Sequence, residues 1–304
     1  MNNNTVIAAG DSGLCNRLKV FIYSYLESKN TFIFWPKAPI HVDSHISKTL
    51  KYKKIAFKTP FKKLFLTKKM KFLYDAKINS APFFWFNTEV EQYSFFDTKN
   101  FMWRKFSDSN LNTLGHNSLD LMYSLVPKEY QDILSSTAQE IILSNYYYYD
   151  FLQEQKVFFM EKNVVGIHVR TWYQDKRREV LFDYKKIENI IKTKNDSVFF
   201  ISSDSEIYIS ELKKSFPRKT ILSWKDFIPN GFSSNTPHTM VDMLDLVLLS
   251  MCVKIFGSYL STFSEVAWYL SGCKNNIQIL VPDLIKMNTS LVDELLITNH
   301  PNYV

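Results

Sequence analysis

A histidine and an arginine stand two residues apart at the end of the apolar run Val164-Val165-Gly166-Ile167-His168-Val169-Arg170. The two-residue period of a strand puts His168 and Arg170 on one side, so their polar heads converge on one ligand. In an open parallel sheet, ligands gather beyond the carboxyl ends of the strands, where loops begin. The residues that follow, Thr171 to Glu179, have the polarity of such a loop and carry charges of both signs. A buried strand with an incidentally polar end is the plainer reading, and the segments downstream shift the balance away from it.

Three such segments occur. Phe200-Ile201-Ser202-Ser203-Asp204-Ser205 reads as a strand running into a polar turn. There Asp204 either accepts hydrogen bonds from a base or ribose, or caps the next helix. Asp245 lies inside an otherwise apolar helix, where a buried carboxylate calls for a partner such as an arginine or a base edge. Gly257-Ser258-Tyr259-Leu260-Ser261-Thr262-Phe263-Ser264-Glu265 is a strand, loop and helix start dense in hydroxyls. A helix N-terminus with hydroxyl donors can hold phosphate oxygens without a metal. The chain has no GxSxG, which argues against a serine nucleophile, and no Asp-x-Asp pair to suggest a metal-bridged diphosphate.

The elements that must position these residues follow from periodicity. Residues 5–9 and 31–35 read as strands, with an amphipathic helix over 14–28 between them. The turn between the first strand and this helix carries Gly10 and Gly13, and Asn16 and Arg17 fall in the helix's first turn, able to face a ligand or simply to solvate a capped helix. It is no Rossmann or P-loop fingerprint, since GxGxxG and GxxxxGK[ST] are absent. Residues 114–143 look largely helical, and Tyr146 to Asp150 lead a connecting helix into Lys156. Phe83-Phe84-Trp85-Phe86 reads as core and loop packing rather than a base-stacking platform, because no basic residues interleave with it.

A composition change at Glu161-Lys162-Asn163 marks the expected domain boundary. Beyond it, strands at 164–169, 198–201, 219–222, 253–256 and 277–280 alternate with helices at 184–191, 206–216, 240–251 and 263–270. That alternation means a parallel sheet with helices on both faces, and two α/β domains facing a cleft. The glycines are expected at strand ends, loops and helix stops.

With 304 residues and 46% hydrophobic content, the chain has length for two packed domains and is not disordered. Cys15, Cys252 and Cys273 lack metal-ligand spacing and read as small buried hydrophobes in a reducing compartment. No signal-peptide pattern or membrane-length apolar run is evident, so a cytoplasmic protein is expected. The formal charge of +7 favours anionic partners. From Lys51 to Lys71 nine lysines and no acid interleave with apolar residues, either a solvated helix face or a basic surface meeting anionic lipid.

Taken together, Gly13-Leu14-Cys15-Asn16-Arg17-Leu18, Gly166-Ile167-His168-Val169-Arg170, Ser203-Asp204, Asp245 with Gly257-Ser258, and Ser261-Thr262-Phe263-Ser264 resemble the GDP-fucose-dependent fucosyltransferase superfamily. That group holds the α1,2-, α1,6- and protein O-fucosyltransferases and the nodulation fucosyltransferases. The likeness covers about 120 residues of the C-terminal half and the first 35. It departs where Thr171-Trp172-Tyr173-Gln174 replaces a second arginine or Gly-Asp, and where Asp204-Ser205 carries one acid instead of two.

The resemblance implies a GT-B fold of two Rossmann-like domains: 1–160 on the acceptor side, 161–285 binding the GDP-sugar, and a tail, 286–304, packing back on the first. It implies an inverting, metal-independent glycosyltransferase that needs no cofactor beyond its GDP-fucose donor. Arg170 would act on the β-phosphate with His168 beside it. Asp204 and Asp245 would hold the guanine and ribose region, and Thr262, Phe263 and Ser264 the diphosphate and base, with Ser203 and Ser261 as further donor-binding residues. Asn16 and Arg17 would approach from the other domain. Glu179, Asp175 or Asp11 would take the acceptor proton, or no base would be needed. The expected acceptor is a glycan, a bacterial surface polysaccharide or lipid-linked oligosaccharide at the inner membrane face, with no nucleic acid involved. A non-catalytic nucleotide- or glycan-binding module and an enzyme for another GDP-sugar remain the alternatives.

Overall fold

The structure is a computed structural model. It describes residues 6–9, 14, 15, 18, 22, 25, 31–34, 71–72, 83–85, 128–142, 149–171, 181–194, 197–229, 232–233, 236, 238–259, 261–273, 276–280 and 282–283. The chain forms two compact units, one of residues 1–112 and 128–147, the other of 113–127 and 148–304.

In the first unit, strands β1 (Val6–Ala9), β2 (Thr31–Phe34), β3 (Lys71–Phe72) and β4 (Phe83–Trp85) make a parallel sheet in the order β3-β2-β1-β4. Between β1 and β2, Leu14, Cys15, Leu18, Ile22 and Tyr25 are helical. Cys15, Leu18, Ile22 and Tyr25 are buried, the spacing of one apolar helix face. Tyr25 also donates a 3.3 Å hydrogen bond to Glu140 Oε1 on helix α1 (Lys128–Ile142). Within the stretch expected to be core and loop packing, Phe83–Trp85 forms the strand β4. A three-residue strand is too short to show a period, and its backbone is fixed by pairing with β1. Of the Lys51 to Lys71 run only Lys71 lies among the described residues, where it opens β3.

The first described element of the second unit is helix α2 (Tyr149–Glu161). Its sheet contains β5 (Val165–Val169), β6 (Phe199–Ser203), β7 (Ile221–Leu222), β8 (Lys254–Ser258) and β9 (Asn276–Leu280). All pairings are parallel and the order is β7-β6-β5-β8-β9, so the winding reverses between β5 and β8.

Every residue of β5 is buried, as expected of a central strand covered on both faces. Val165, Ile167 and Val169 join a core with Ile187 and Ile191 of α3 (Tyr184–Thr193) and Tyr208, Ile209 and Leu212 of α4 (Glu206–Ser215). The other face receives α2, α5 (His238–Ser250) and α6 (Thr262–Leu270). Phe159 of α2 is fully buried there, with ring centroids 5.5 Å from Phe200 and 5.1 Å from Phe227. In α5 the whole stretch from Met243 to Ser250 is buried, so this helix is apolar all round because sheet and α6 both cover it. The helix starts are set by side chains: Asp183 Oδ1 accepts from Lys186 N at 3.1 Å and Ser205 Oγ from Tyr208 N at 3.3 Å.

Two glycines lie within strands rather than at their ends, for a packing reason. A Cβ on Gly166 would stand 2.8 Å from Cys252 Sγ and 2.8 Å from Leu249 Cδ1, and one on Gly257 would stand 2.8 Å from both Ser264 Cβ and Ser264 Oγ. Gly257 thus lets the first turn of α6 lie against β8. Gly257→Ala should lower unfolding stability by about 1–3 kcal/mol through overpacking. An unchanged midpoint in urea denaturation would show that α6 has room to move away.

Candidate functional site

Strand β5 delivers its polar end at the point where the sheet reverses its winding, the place where open α/β sheets bind ligands. Its register with β6 pairs His168 with Ser202 and Val169 with Ser203, so one further step sets Arg170 opposite Asp204. The two side chains meet there: Arg170 Nη1 lies 3.3 Å from Asp204 Oδ2. The arginine side chain is 32% exposed and the aspartate 11%, so a solute can reach the guanidinium while the carboxylate stays sheltered.

Asp204 is held from its other oxygen. Thr171 donates both its backbone N–H and its hydroxyl to Oδ1, at 2.9 and 3.0 Å. The carboxylate therefore does not cap α4, one of the two roles open to it from sequence; Ser205, one residue later, does. Ser203 Oγ accepts from Ser205 N at 3.1 Å and shapes the turn between them.

His168 is turned into the protein. Its Nδ1 lies 2.7 Å from Ser264 Oγ, and its ring stacks on Phe263 with centroids 4.8 Å apart. The imidazole therefore braces the first turn of α6. Burial, and then the charge of Arg170, lower its pKa from 6.5 to about 3. At neutral pH the histidine is uncharged and the guanidinium supplies the positive charge at this strand end.

At the head of α6, Ser261 is buried and takes the N-cap position without a side-chain capping bond, while Thr262 and Phe263 are half-buried. The first N–H groups of a helix lack intrahelical acceptors, and its macrodipole favours an anion there. Deeper in the same unit, Asp245 on α5 takes a 2.5 Å hydrogen bond on Oδ2 from the hydroxyl of Ser202 on β6. Its Oδ1 is buried without a hydrogen-bond partner among the described residues. Burial raises this carboxyl well above its usual range; the Ser202 bond opposes that shift and the Asp242 charge adds to it. Among the described residues the partner of Asp245 is Ser202 rather than an arginine.

The structure thus groups His168, Arg170, Ser203, Asp204, Ser261, Thr262, Phe263 and Ser264 about adjoining strand ends and the start of α6, with Asp245 anchored to Ser202 behind them. Asn16, Arg17, Asp11, Asp175 and Glu179 lie outside the described residues, as does the tail 286–304. Among the described residues no group of three His, Cys, Asp or Glu side chains could hold a metal ion, and no helix is long and apolar enough to cross a membrane.

No family model and no curated protein match this chain. Several solved structures are similar to it. The α-1,6-fucosyltransferase NodZ soaked with GDP-fucose shares 15% identity over 88% of this chain and 93% of its own, with a TM-score of 0.46. Fucosyltransferase NodZ from Bradyrhizobium shares 16% over 88% and 92%, with a TM-score of 0.44. POFUT1 in complex with GDP shares 10% over 92% and 99%, with a TM-score of 0.45.

Thr171, Ser202 and Ser258 are the site residues for which sequence reasoning assigned no role. Thr171 and Ser202 act on carboxylates far away in sequence, which no local spacing announces. Ser258 lay in plain view within the hydroxyl-rich segment.

Opposite pH dependences follow from the two buried groups. Below pH 6.5 the unfolded chain takes up a proton on His168 that the folded chain refuses down to about pH 3, so stability falls as pH falls through that window. Above the ordinary carboxyl value of 3.8 the unfolded chain releases a proton that folded Asp245 retains, so stability falls as pH rises. Relative to wild type, His168→Gln should gain about 1.4 kcal/mol per pH unit on acidification below 6.5, and Asp245→Asn a similar amount on alkalinisation above 3.8. Urea unfolding from pH 4 to 8 measures both; parallel slopes for the three proteins would mean that neither group is held neutral.

Proposed function

We propose that this chain is an inverting, metal-independent glycosyltransferase of GT-B architecture that moves fucose from GDP-fucose to a hydroxyl of a glycan acceptor. The observation that carries this reading is the Arg170 guanidinium, reachable from solvent at the winding reversal and paired laterally with the sheltered Asp204. An arginine keeps its charge at any working pH and binds phosphate oxygens bidentately. With His168 neutral, that fixed charge is the group suited to the negative charge that grows on a departing diphosphate.

The roles follow from position. Arg170 takes the β-phosphate, sharing its charge with Asp204 or leaving it as the donor enters. Ser261, Thr262 and the start of α6 hold further phosphate oxygens. Phe263, carried on the His168 ring, offers an apolar wall for the nucleoside. Asp245 would meet the base edge through Oδ1, which lacks a hydrogen-bond partner among the described residues. In the transfer the bond from fucose C1 to the phosphate oxygen breaks as the acceptor oxygen bonds C1 from the opposite face. The acceptor proton passes to Glu179, Asp175 or Asp11, and the electron pair of the broken bond leaves with GDP. Asn16 and Arg17 are further donor-binding candidates.

A bacterial surface polysaccharide or lipid-linked oligosaccharide suits a cytoplasmic enzyme whose Lys51 to Lys71 segment meets anionic lipid at the inner membrane face. Calorimetry with GDP, UDP and GDP-fucose in the presence of a chelator tests the donor site. GDP should bind more tightly than UDP, and Arg170→Ala should weaken GDP by about 100-fold and abolish slow fucose release, as expected for loss of a charge-assisted clamp. Preference for UDP, or indifference to Arg170→Ala, would refute the reading.

A further inference from the structure

The ladder between β5 and β8 runs Val165–Lys254, Gly166–Ile255 and Ile167–Phe256, and ends there. On its outer sides the sheet continues: β5 pairs with β6 as far as Val169–Ser203, and β8 with β9 as far as Ser258–Leu280. The central strands β5 and β8 therefore diverge before their ends, leaving the last two residues of each without a partner in the other, at the reversal of winding.

Had the register continued, Ser258 would face Val169. In a parallel ladder the residue facing Val169 gives its N–H to the preceding carbonyl, that of His168, and takes the following N–H, that of Arg170. Both bonds are present, made by the side chain. Ser258 Oγ donates to His168 O at 2.8 Å and accepts from Arg170 N at 2.7 Å. One hydroxyl thus replaces the N–H and the C=O of a backbone residue, satisfying β5 while the backbones stay apart.

We propose that Ser258 is a positioning residue that fixes the main chain of Arg170 and so aims its guanidinium at the diphosphate. This rests on the reading of Arg170 as the diphosphate ligand. The Asp204 ion pair holds the arginine head, and an entering anion competes with it. The Ser258 bond acts on the backbone and persists when that pair is shared or broken. It therefore limits the arcs available to the guanidinium when its aim matters, and misplacement by an ångström is costly to a bound group.

Two readouts test this. Amide hydrogen exchange of unliganded protein should show the Arg170 N–H exchanging about tenfold faster in Ser258→Ala, with Ser258→Thr restoring protection because it keeps the hydroxyl. Calorimetry should show Ser258→Ala weakening GDP about tenfold while guanosine binding changes less than about twofold. In an Arg170→Ala background the serine substitution should have no further effect on GDP. Unchanged exchange at Arg170, equal losses for GDP and guanosine, or additive losses in the double variant would each overturn the proposal. Should Ser258→Ala fail to fold, Ser258→Cys carries the same tests, since a thiol keeps the volume and hydrogen-bonds weakly. Indifference of GDP binding to Arg170→Ala alone would strike the donor-site reading instead, and amide exchange would still decide the tether.

Discussion

A doubly wound parallel sheet must separate its two central strands at the carboxyl end, because the connections from those strands leave toward opposite faces. Much in the second unit follows from that separation between β5 and β8. It opens the place where a ligand can enter, and it strands backbone groups of β5 that a continuous ladder would have satisfied. A sheet with a water-filled gap would solve the second problem and leave Arg170 free to wander. Here the Ser258 hydroxyl solves it with a single atom, and the register from β5 to β6 brings Asp204 alongside from the other flank.

The electrostatics divide the labour between neighbours that look similar in sequence. His168 and Arg170 share a side of the strand, as alternation predicts, but they do not share a task. The last paired residues of β5 are roofed by α6, and His168 is consumed there by Ser264 and Phe263. One pleat later the roof has ended and Arg170 reaches solvent. A charged imidazole beneath the guanidinium would repel it; keeping the ring neutral removes that conflict. The close approach of α6 that makes this possible depends in turn on the missing side chain of Gly257.

Much of the second unit was legible in the sequence because its strands and helices are long enough to show a period. The strand at 164–169, the helices starting near Tyr184 and Glu206, and the strand ending at Leu280 differ from the observed elements by a residue or two. What escaped was set by tertiary contact. β3 and β4 are strands because of their neighbours and carry no signal of their own. Asp204 and Ser205 are both acceptable caps, and only the presence of Thr171 and Arg170 beside Asp204 assigns the cap to the serine. Gly166 and Gly257 looked like joints, whereas the approach of α5 and α6 to the sheet is what requires them.

Asp245 shows the same logic with a different outcome. Alone, a carboxyl inside an apolar helix under a sheet would be a heavy penalty, and replacement by an apolar side chain of similar shape would be the stabilising solution. Its Ser202 bond satisfies one oxygen, and the other is buried without a partner among the described residues. A neutral acid of this kind can donate its proton toward one partner and accept from another, which a methionine or leucine cannot do. The retained polar group ties α5 to β6 through Ser202, a bond that an apolar side chain could not make. It lies on the same face of the sheet as Phe263 and behind the strand end that carries Arg170. Under the proposed function, a nucleoside diphosphate would meet Arg170 with its anionic end and the Phe263 side of this face with its planar end.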